Sequence, residues 1–149
     1  ERNKLWQARH DALYATLALK PGASAWSTDV CVPISKLADC IEATRMNIEA
    51  SPLTATIVGH VGDGNFHVIF LINPDRPQDF DEAQRINDIM VSRAIEMEGT
   101  CTGEHGVGVG KRQYLEREFG PALETMKTLK RALDPLNIMN PGKVVQLNI

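Results

Sequence analysis

The sequence lacks the features of several protein classes, because it has few aromatic residues, no basic excess and no long apolar run. Aromatic residues make up 5% of its 149 residues, which disfavours a stacking platform for single strands and a carbohydrate groove. Its 16 lysines and arginines are outnumbered by 19 acidic residues, whereas nucleic-acid binders usually carry a basic excess. No run reaches the roughly 18 apolar residues that a membrane-spanning helix needs. We therefore expect no nucleic-acid partner and no transmembrane segment.

Paired cysteines and a targeting segment are also missing. Cys31, Cys40 and Cys101 form an odd set without a CxxC spacing, so we expect free thiols in a reducing compartment. The chain starts at Glu1 in a helical pattern, without the charged stub and apolar run of a secretory signal. We expect a piece of a longer protein that is cytoplasmic, or located in the mitochondrial matrix of a eukaryote, and at most peripheral to a membrane.

Hydrophobic periodicity predicts an α+β domain. Helical spacing predicts helices up to about residue 20, over 34–50, from Asp79 to Gly99, and over 111–118 and 121–133. β-rich runs predict strands at 26–32, 54–60, 66–72 and 100–102. Asp79 and Glu82 have the spacing of an acidic capping box, and the leucines of the last helix are expected to face the core. Strands joined by a tight turn are antiparallel, so we expect an antiparallel sheet with helices packed on one face.

Glycine and histidine are concentrated in two stretches. Eight of the 11 glycines and three of the four histidines lie in GHVGDGNFH, at 59–67, or in GTCTGEHGVGVGK, at 99–111. Asp63-Gly64 is a favoured two-residue hairpin turn, and pairing about it places His60 opposite His67 on one side of the sheet. Two imidazoles placed this way can share a metal ion. The alternative is a pair of buried histidines held by hydrogen bonds.

The second stretch offers a further ligand and a base. We favour Glu104 as the third ligand, because two histidines and one carboxylate leave positions open, as in catalytic metal sites. His105 would then stand beside the metal as a general base. The reverse stays open, with His105 as the ligand and Glu104 as its hydrogen-bonding partner, as does a solvated loop pair. Neighbouring residues point to opposite sides of an extended chain, so both reach one centre only if Gly103 or Gly106 turns it.

The same glycine-rich loop does not match a phosphate-binding motif. A Walker loop requires glycine five residues before Gly110 and Ser or Thr after Lys111, whereas this chain has His105 and Arg112 there. Residues 106–110 read GxGxG, which is not the dinucleotide pattern GxGxxG. Lys111 and Arg112 are therefore expected to be the solvated start of a helix.

Three joined motifs carry a family resemblance. GHVGDGNFH, GTCTGEHGVGVGK and LDPLNIMNPGK, in this order, resemble the C-terminal part of the FAD-linked 2-hydroxyacid dehydrogenases. That family includes the glycolate oxidase flavin subunit and a D-lactate dehydrogenase (cytochrome) branch. STDVCVPISKL at 27–37 is most similar to the D-lactate dehydrogenase branch. The resemblance implies a ferredoxin-like cap over residues 1–133. It also implies a tail, 134–149, that returns to an absent N-terminal FAD-binding domain, with Asn140 approaching the flavin.

The resemblance also implies roles for residues of the site. His60, His67 and Glu104 match the metal ligands, with zinc as the usual metal. His105 matches the base, and Arg9 matches an arginine that binds the substrate carboxylate, where a two-pronged guanidinium contact suits the chemistry.

The implied reaction is oxidation of a small 2-hydroxy acid. Metal-assisted loss of the hydroxyl proton to His105 and hydride transfer to FAD would convert D-lactate, or a similar acid, to the 2-oxo acid. Ser27 and Ile69 stand where the hydroxyglutarate branch has Lys and Asn, which favours a monocarboxylate. Electrons would leave to a quinone, a cytochrome or an electron-transfer flavoprotein.

The alternative function is a stand-alone metal-binding or regulatory module without catalytic activity. Under either function, the isolated 149 residues are expected to hold no FAD and to be inactive.

Overall fold

A computed structural model describes residue 7 and residues 11–147 of the chain. Its helices and strands are α1 (Ala12–Ala18), β1 (Ser24–Cys31), α2 (Ile34–Glu49), β2 (Thr54–His60), β3 (Asn65–Ile72), α3 (Pro77–Glu96), α4 (Leu115–Phe119) and α5 (Ala122–Leu133). Short 3₁₀ turns lie at Val61–Asp63 and Arg112–Tyr114. Among the described helices, none is long and apolar enough to cross a membrane.

The three strands form one antiparallel sheet in the order β1-β3-β2. Since β1 and β2 both run antiparallel to β3, they are parallel to each other, and α2 connects them across the sheet. This is the split β-α-β arrangement of ferredoxin-like domains. Thr100 forms a single antiparallel bridge with Cys31 at the free edge of β1. The predicted α+β class with an antiparallel sheet is confirmed, while the predicted strand at 100–102 is reduced to that bridge.

The two faces of the sheet have different surroundings. Every residue of the central strand β3 is buried. Phe66, Val68 and Phe70 face the main core, in which they pack with side chains of α2 and α3. The long helices thus cover one face, as predicted. The opposite face carries His67 and Ile69, and the short helix α1 contacts it through a 2.9 Å hydrogen bond between the hydroxyls of Thr16 and Thr56.

The turn between β2 and β3 differs from the predicted two-residue turn. His60 pairs with Asn65, and Val58 pairs with His67, so the register is displaced by two residues from the predicted pairing. The connection uses four residues, with Gly64 in the left-handed conformation at φ 73°. Side chains alternate with a period of two, so an even displacement leaves His60 and His67 on the same face.

Two helix predictions are also corrected. Helix α3 begins at Pro77, whose missing N–H suits the first turn, and Asp79 lies inside that turn instead of capping it. The carboxylate of Asp79 accepts a 3.1 Å hydrogen bond from the Asn73 N–H instead. In α5 the predicted inward face is largely solvent-exposed, with Leu129 57% and Leu133 77% accessible, because only Leu123 of that helix packs against the main core.

Candidate functional site

The candidate site begins with two histidines on the open face of the hairpin. His60 ends β2 and His67 lies in β3, and they are diagonal neighbours because His60 pairs with Asn65. Their ring centroids are 5.5 Å apart and the rings are almost perpendicular, at 82°. Both side chains therefore point to one region above the sheet, as the sequence predicted, although they are not directly opposed.

The glycine-rich loop brings Glu104 to these histidines. Glu104 Oε1 lies 3.1 Å from His60 Nε2 and 3.0 Å from His67 Nε2. Ligand atoms of a tetrahedral site with bonds of about 2.0–2.1 Å are roughly 3.3 Å apart. The two distances from Glu104 are thus a few tenths of an ångström below those of a metal-bound set, and all three ligand atoms lie within 4.8 Å of one another.

The state of His67 also suits a metal ligand. Its side chain is buried, and its Nε2 faces Glu104 Oε1 at 3.0 Å. Burial lowers the pKa of His67, and the neighbouring charge of His105 lowers it further. The ring is therefore neutral at physiological pH, which is the form in which imidazole binds a metal ion.

His105 stands beside the three converging side chains. Its ring stacks on His67, with centroids 4.8 Å apart and an interplanar angle of 19°. Its Nδ1 lies 3.6 Å from Asp29 Oδ1, too far for a hydrogen bond. Asp29, His67 and His105 form a second possible metal-binding group. However, the ammonium of Lys111 already contacts that carboxylate of Asp29, so the His60–His67–Glu104 group suits a cation better.

Asp29 and Lys111 are site residues that the sequence reasoning missed. Asp29 is fully buried in β1, and it pairs directly with His67 of β3. Burial alone would raise the pKa of Asp29, but hydrogen bonds from Lys111 and from the backbone N–H groups of Glu104 and His105 lower it to about 2. The side chain of Lys111 is only 12% exposed, so the predicted solvated position for this residue was wrong. The available signal was an acidic residue inside an apolar strand, since such residues are almost never buried without a partner.

A cleft of about 380 Å³ opens beside these side chains. His60, His67, Glu104 and His105 line one part of it. The remainder is mostly small or apolar, with Ala12, Leu13, Ser27, Val58, Gly59 and Ile69. Ser27 and Ile69 are direct partners across β1 and β3, and none of the described residues that line the cleft is a lysine or an arginine.

Two predicted site residues are not placed in this cleft. Arg9, the predicted ligand of the substrate carboxylate, lies outside the described residues. Asn140 lies in the exposed tail after α5, in a left-handed conformation with φ 47°, and it does not line the cleft. Its predicted contact with a flavin stays a prediction.

Comparisons with known proteins relate the chain to flavin-dependent oxidoreductases. Residues 1–144 match the family described as FAD linked oxidases, C-terminal domain. The chain is 53% identical over 150 residues to a probable mitochondrial D-lactate dehydrogenase of Danio rerio, covering 98% of this chain and 30% of that protein. It is 50% identical to the mitochondrial D-lactate dehydrogenase [cytochrome] of Arabidopsis thaliana, covering 97% of this chain and 26% of that protein.

A bacterial relative is more distant. The glycolate oxidase subunit GlcD of Bacillus subtilis is 36% identical over 141 residues, covering 94% of this chain and 30% of that protein. The chain therefore spans less than a third of the length of these three relatives, and each of them contains a long additional portion that has no counterpart here.

Proposed function

Because the chain belongs to the family of FAD-linked oxidase C-terminal domains, we propose that it is the substrate- and metal-binding segment of an FAD-dependent D-2-hydroxyacid dehydrogenase. The reaction is oxidation of D-lactate, or a similar small 2-hydroxy acid, to the 2-oxo acid. One observation carries the proposal: His60, His67 and Glu104 converge within 3.1 Å contacts at a cleft that His105 also lines.

The three converging side chains are the proposed ligands of a divalent metal ion, with zinc as the expected one. Two imidazoles and one carboxylate are common zinc ligands and leave coordination positions for substrate. Bound there, the metal supplies Lewis-acid polarisation of the 2-hydroxyl group and lowers its pKa. His60 and His67 contribute Nε2 atoms and Glu104 contributes Oε1, since these atoms face one another.

His105 is the proposed general base. Its Nδ1 faces Asp29 and its ring is stacked on His67, which leaves Nε2 as the nitrogen that accepts the hydroxyl proton. The side chain of His105 is 39% exposed, so it is accessible from the cleft. A positioned base of this kind typically contributes about 10²–10⁴-fold to a rate.

The wall of the cleft supports a small monocarboxylate as substrate. Leu13, Val58 and Ile69 offer an apolar surface that fits the methyl group of lactate and leaves a second carboxylate without a partner among the described lining residues. Arg9 is the proposed partner of the single substrate carboxylate. FAD, which an N-terminal domain would mainly hold, would supply hydride acceptance and onward electron transfer to a quinone, a cytochrome or an electron-transfer flavoprotein.

The names of the relatives bear on the compartment as well. The proteins of Danio rerio and Arabidopsis thaliana are named mitochondrial. For a eukaryotic source this supports a mitochondrial location over the cytoplasm.

A metal-binding or regulatory module without chemistry of its own is the competing function. The experiment is elemental analysis and D-lactate oxidation by the intact protein that carries this chain, compared with His60→Ala, His67→Ala, Glu104→Gln and His105→Asn. Glu98→Gln is the control, because Glu98 is an exposed glutamate paired only with Lys36 at 3.0 Å among the described contacts.

We expect about one metal ion per chain in the parent and the control, and loss of it in the three ligand variants. His105→Asn should keep the metal and oxidise D-lactate about 10²–10⁴-fold more slowly. A regulatory module would lose metal in the same variants, but neither the parent nor Glu98→Gln would oxidise a 2-hydroxy acid. Metal content that is independent of all three ligands would contradict the proposed metal site.

A further inference from the structure

We propose that Asp29, with Lys111 as its charge partner, is the positioning residue that holds Glu104 and His105 against the histidines of the sheet. The role of the two positioned residues rests on the proposed function. The position of the loop itself does not, because it follows from contacts within this chain. Asp29 thus acts on the site through the loop and is not itself a ligand or a base.

One oxygen atom of Asp29 gathers three consecutive backbone donors. Asp29 Oδ2 accepts hydrogen bonds from the N–H groups of Gly103 at 2.8 Å, Glu104 at 2.7 Å and His105 at 3.1 Å. Successive N–H groups that converge in this way form an anion-binding concavity. Here the anion is the carboxylate of Asp29 in β1. Its contacts therefore fix the backbone of Glu104 and His105, the candidate ligand and the candidate base.

The second oxygen atom and the backbone of Asp29 fix the far end of the loop. The ammonium of Lys111 contacts Asp29 Oδ1 and donates a 2.6 Å hydrogen bond to the Asp29 carbonyl oxygen. Both ends of the segment from Gly103 to Lys111 are therefore attached to one residue of β1. A buried carboxylate is strongly unfavourable unless it is paired and hydrogen-bonded, and these donors meet that requirement.

The loop approaches so closely that position 103 requires glycine. A Cβ atom added to Gly103 would lie 1.5 Å from Asn65 Nδ2 and 3.1 Å from Asp29 Oδ2. Asn65 is itself buried and fixed, since its Nδ2 donates a 3.1 Å hydrogen bond to the Val30 carbonyl oxygen. The loop backbone at Gly103 thus packs directly against side chains of the sheet, and a larger residue there would move it away from Asp29.

Direct roles for Asp29 in the chemistry fit less well. A metal ligand needs a carboxylate free to receive a cation, and Lys111 already contacts this one. Orientation of the His105 ring by Asp29 would need a hydrogen bond, and the 3.6 Å separation of Nδ1 and Oδ1 is too long for one.

The first test measures amide hydrogen exchange of residues 103–105 in the intact protein that carries this chain. Asp29→Asn keeps the shape of the side chain but has one oxygen acceptor in place of two, so it cannot accept both from the three N–H groups and from the ammonium of Lys111. We expect these three amides to exchange at least about tenfold faster in Asp29→Asn than in the parent. Exchange at the parental rate in a folded Asp29→Asn protein would overturn the proposal.

The control is Asp79→Asn, which also removes a charge from a buried aspartate. Asp79 accepts one backbone N–H, from Asn73, and lies 3.5 Å from the ammonium of Lys20. This variant should leave exchange at residues 103–105 unchanged. Equal acceleration in both variants would attribute the effect to general destabilisation and would also overturn the proposal.

The second test uses Co²⁺ as a probe of ligand geometry. We expect Asp29→Asn to weaken Co²⁺ affinity about 10- to 100-fold and to alter its visible absorption, as for residues that orient metal ligands. Unchanged affinity and spectrum would overturn positioning of Glu104 as a ligand. If the parent binds no Co²⁺ but the amides of residues 103–105 exchange faster in Asp29→Asn, the proposed metal site would be contradicted. The attachment of the loop by Asp29 would still be supported.

Lys111→Met covers the case in which Asp29→Asn does not fold. Methionine keeps an unbranched apolar stem and leaves the three N–H contacts of Asp29 in place. We expect faster exchange at residues 103–105 than in the parent, because the far end of the loop is then no longer attached to Asp29. Exchange at the parental rate in a folded Lys111→Met protein would overturn the proposal that Asp29 and Lys111 together position the loop.

Discussion

At the scale of single residues, we expect Tyr114 to make the free energy of unfolding decrease at alkaline pH. Its hydroxyl donates to Asp88 and accepts a 2.9 Å hydrogen bond from Asn87, which itself accepts one from Thr28 of β1. Burial raises the pKa of Tyr114 above its ordinary value of 10.0, and the carboxylate of Asp88 raises it further. The folded state therefore holds this proton more tightly than the unfolded state does, and the resulting stability is lost as the pH rises.

We expect the free energy of unfolding to fall from about pH 10 upward, where Tyr114 of the unfolded chain begins to lose its proton, and to fall less steeply in Tyr114→Phe, which has no such proton. Urea unfolding at several pH values measures both slopes. At neutral pH the variant should be about 1–2 kcal/mol less stable, because Asn87 and Asp88 lose their partner. Identical slopes for parent and variant would show that Tyr114 does not cause the pH dependence.

The chemistry of single residues also decides what the sequence can reveal. His60, His67, Glu104 and His105 stand out because imidazoles and a carboxylate recur beside glycines. Asp29 stands out only as an acidic residue inside an apolar strand, and its partners are not indicated, because they are mainly backbone N–H groups about 75 positions away in the sequence. Every residue carries such donors, so no residue type marks the loop that will supply them.

At the scale of elements, the hairpin of β2 and β3 shows why a wrong register can yield a correct site. The two-residue turn and the observed four-residue connection differ in pairing by two residues. A displacement of one residue would have placed His60 and His67 on opposite faces. The connection follows from tertiary contact, because Gly64 packs against the segment after β1 and its carbonyl oxygen accepts a 3.0 Å hydrogen bond from the Val32 N–H. Val32 is 32 positions from Gly64 in the sequence, so the turn preferences of the residues around Gly64 could not predict this contact.

Substitution of Gly64 tests the importance of this contact. A Cβ atom there would lie 2.0 Å from the Val32 carbonyl oxygen, and φ is +73°. Gly22 has a similar φ of +86° with nothing within 4 Å, so it reports the backbone effect alone. We expect Gly22→Ala to lose about 1 kcal/mol of unfolding free energy, and Gly64→Ala to lose about 1–3 kcal/mol more. Equal losses in denaturant titrations would show that the turn can move away from Val32 without cost.

At the scale of the whole molecule, the last helix and the tail carry four large apolar side chains that the described residues leave exposed. Leu129 and Leu133 of α5 are followed by Leu136 and Ile138, which are 78% and 74% exposed. The sequence predicted the amphipathic helix but placed its leucines in the core of this domain, because periodicity shows that a face is buried and not what buries it. The relatives contain a long additional portion, so we propose that an FAD-binding domain covers this surface in the intact protein, as expected for the tail 134–149.

If that surface is an uncovered interface, the 149-residue chain produced alone should self-associate through it. We expect the double variant Leu129→Glu/Leu133→Glu to weaken self-association at least about tenfold, because two carboxylates would be buried without partners. Sedimentation velocity measures this. The control is Leu19→Glu/Ile34→Glu, which alters two side chains that are 62% and 64% exposed elsewhere on the molecule. A parent that stays monomeric at about 100 µM would contradict a specific apolar interface. So would a control variant that weakens self-association equally, because exposed apolar side chains that are scattered over a surface need no partner.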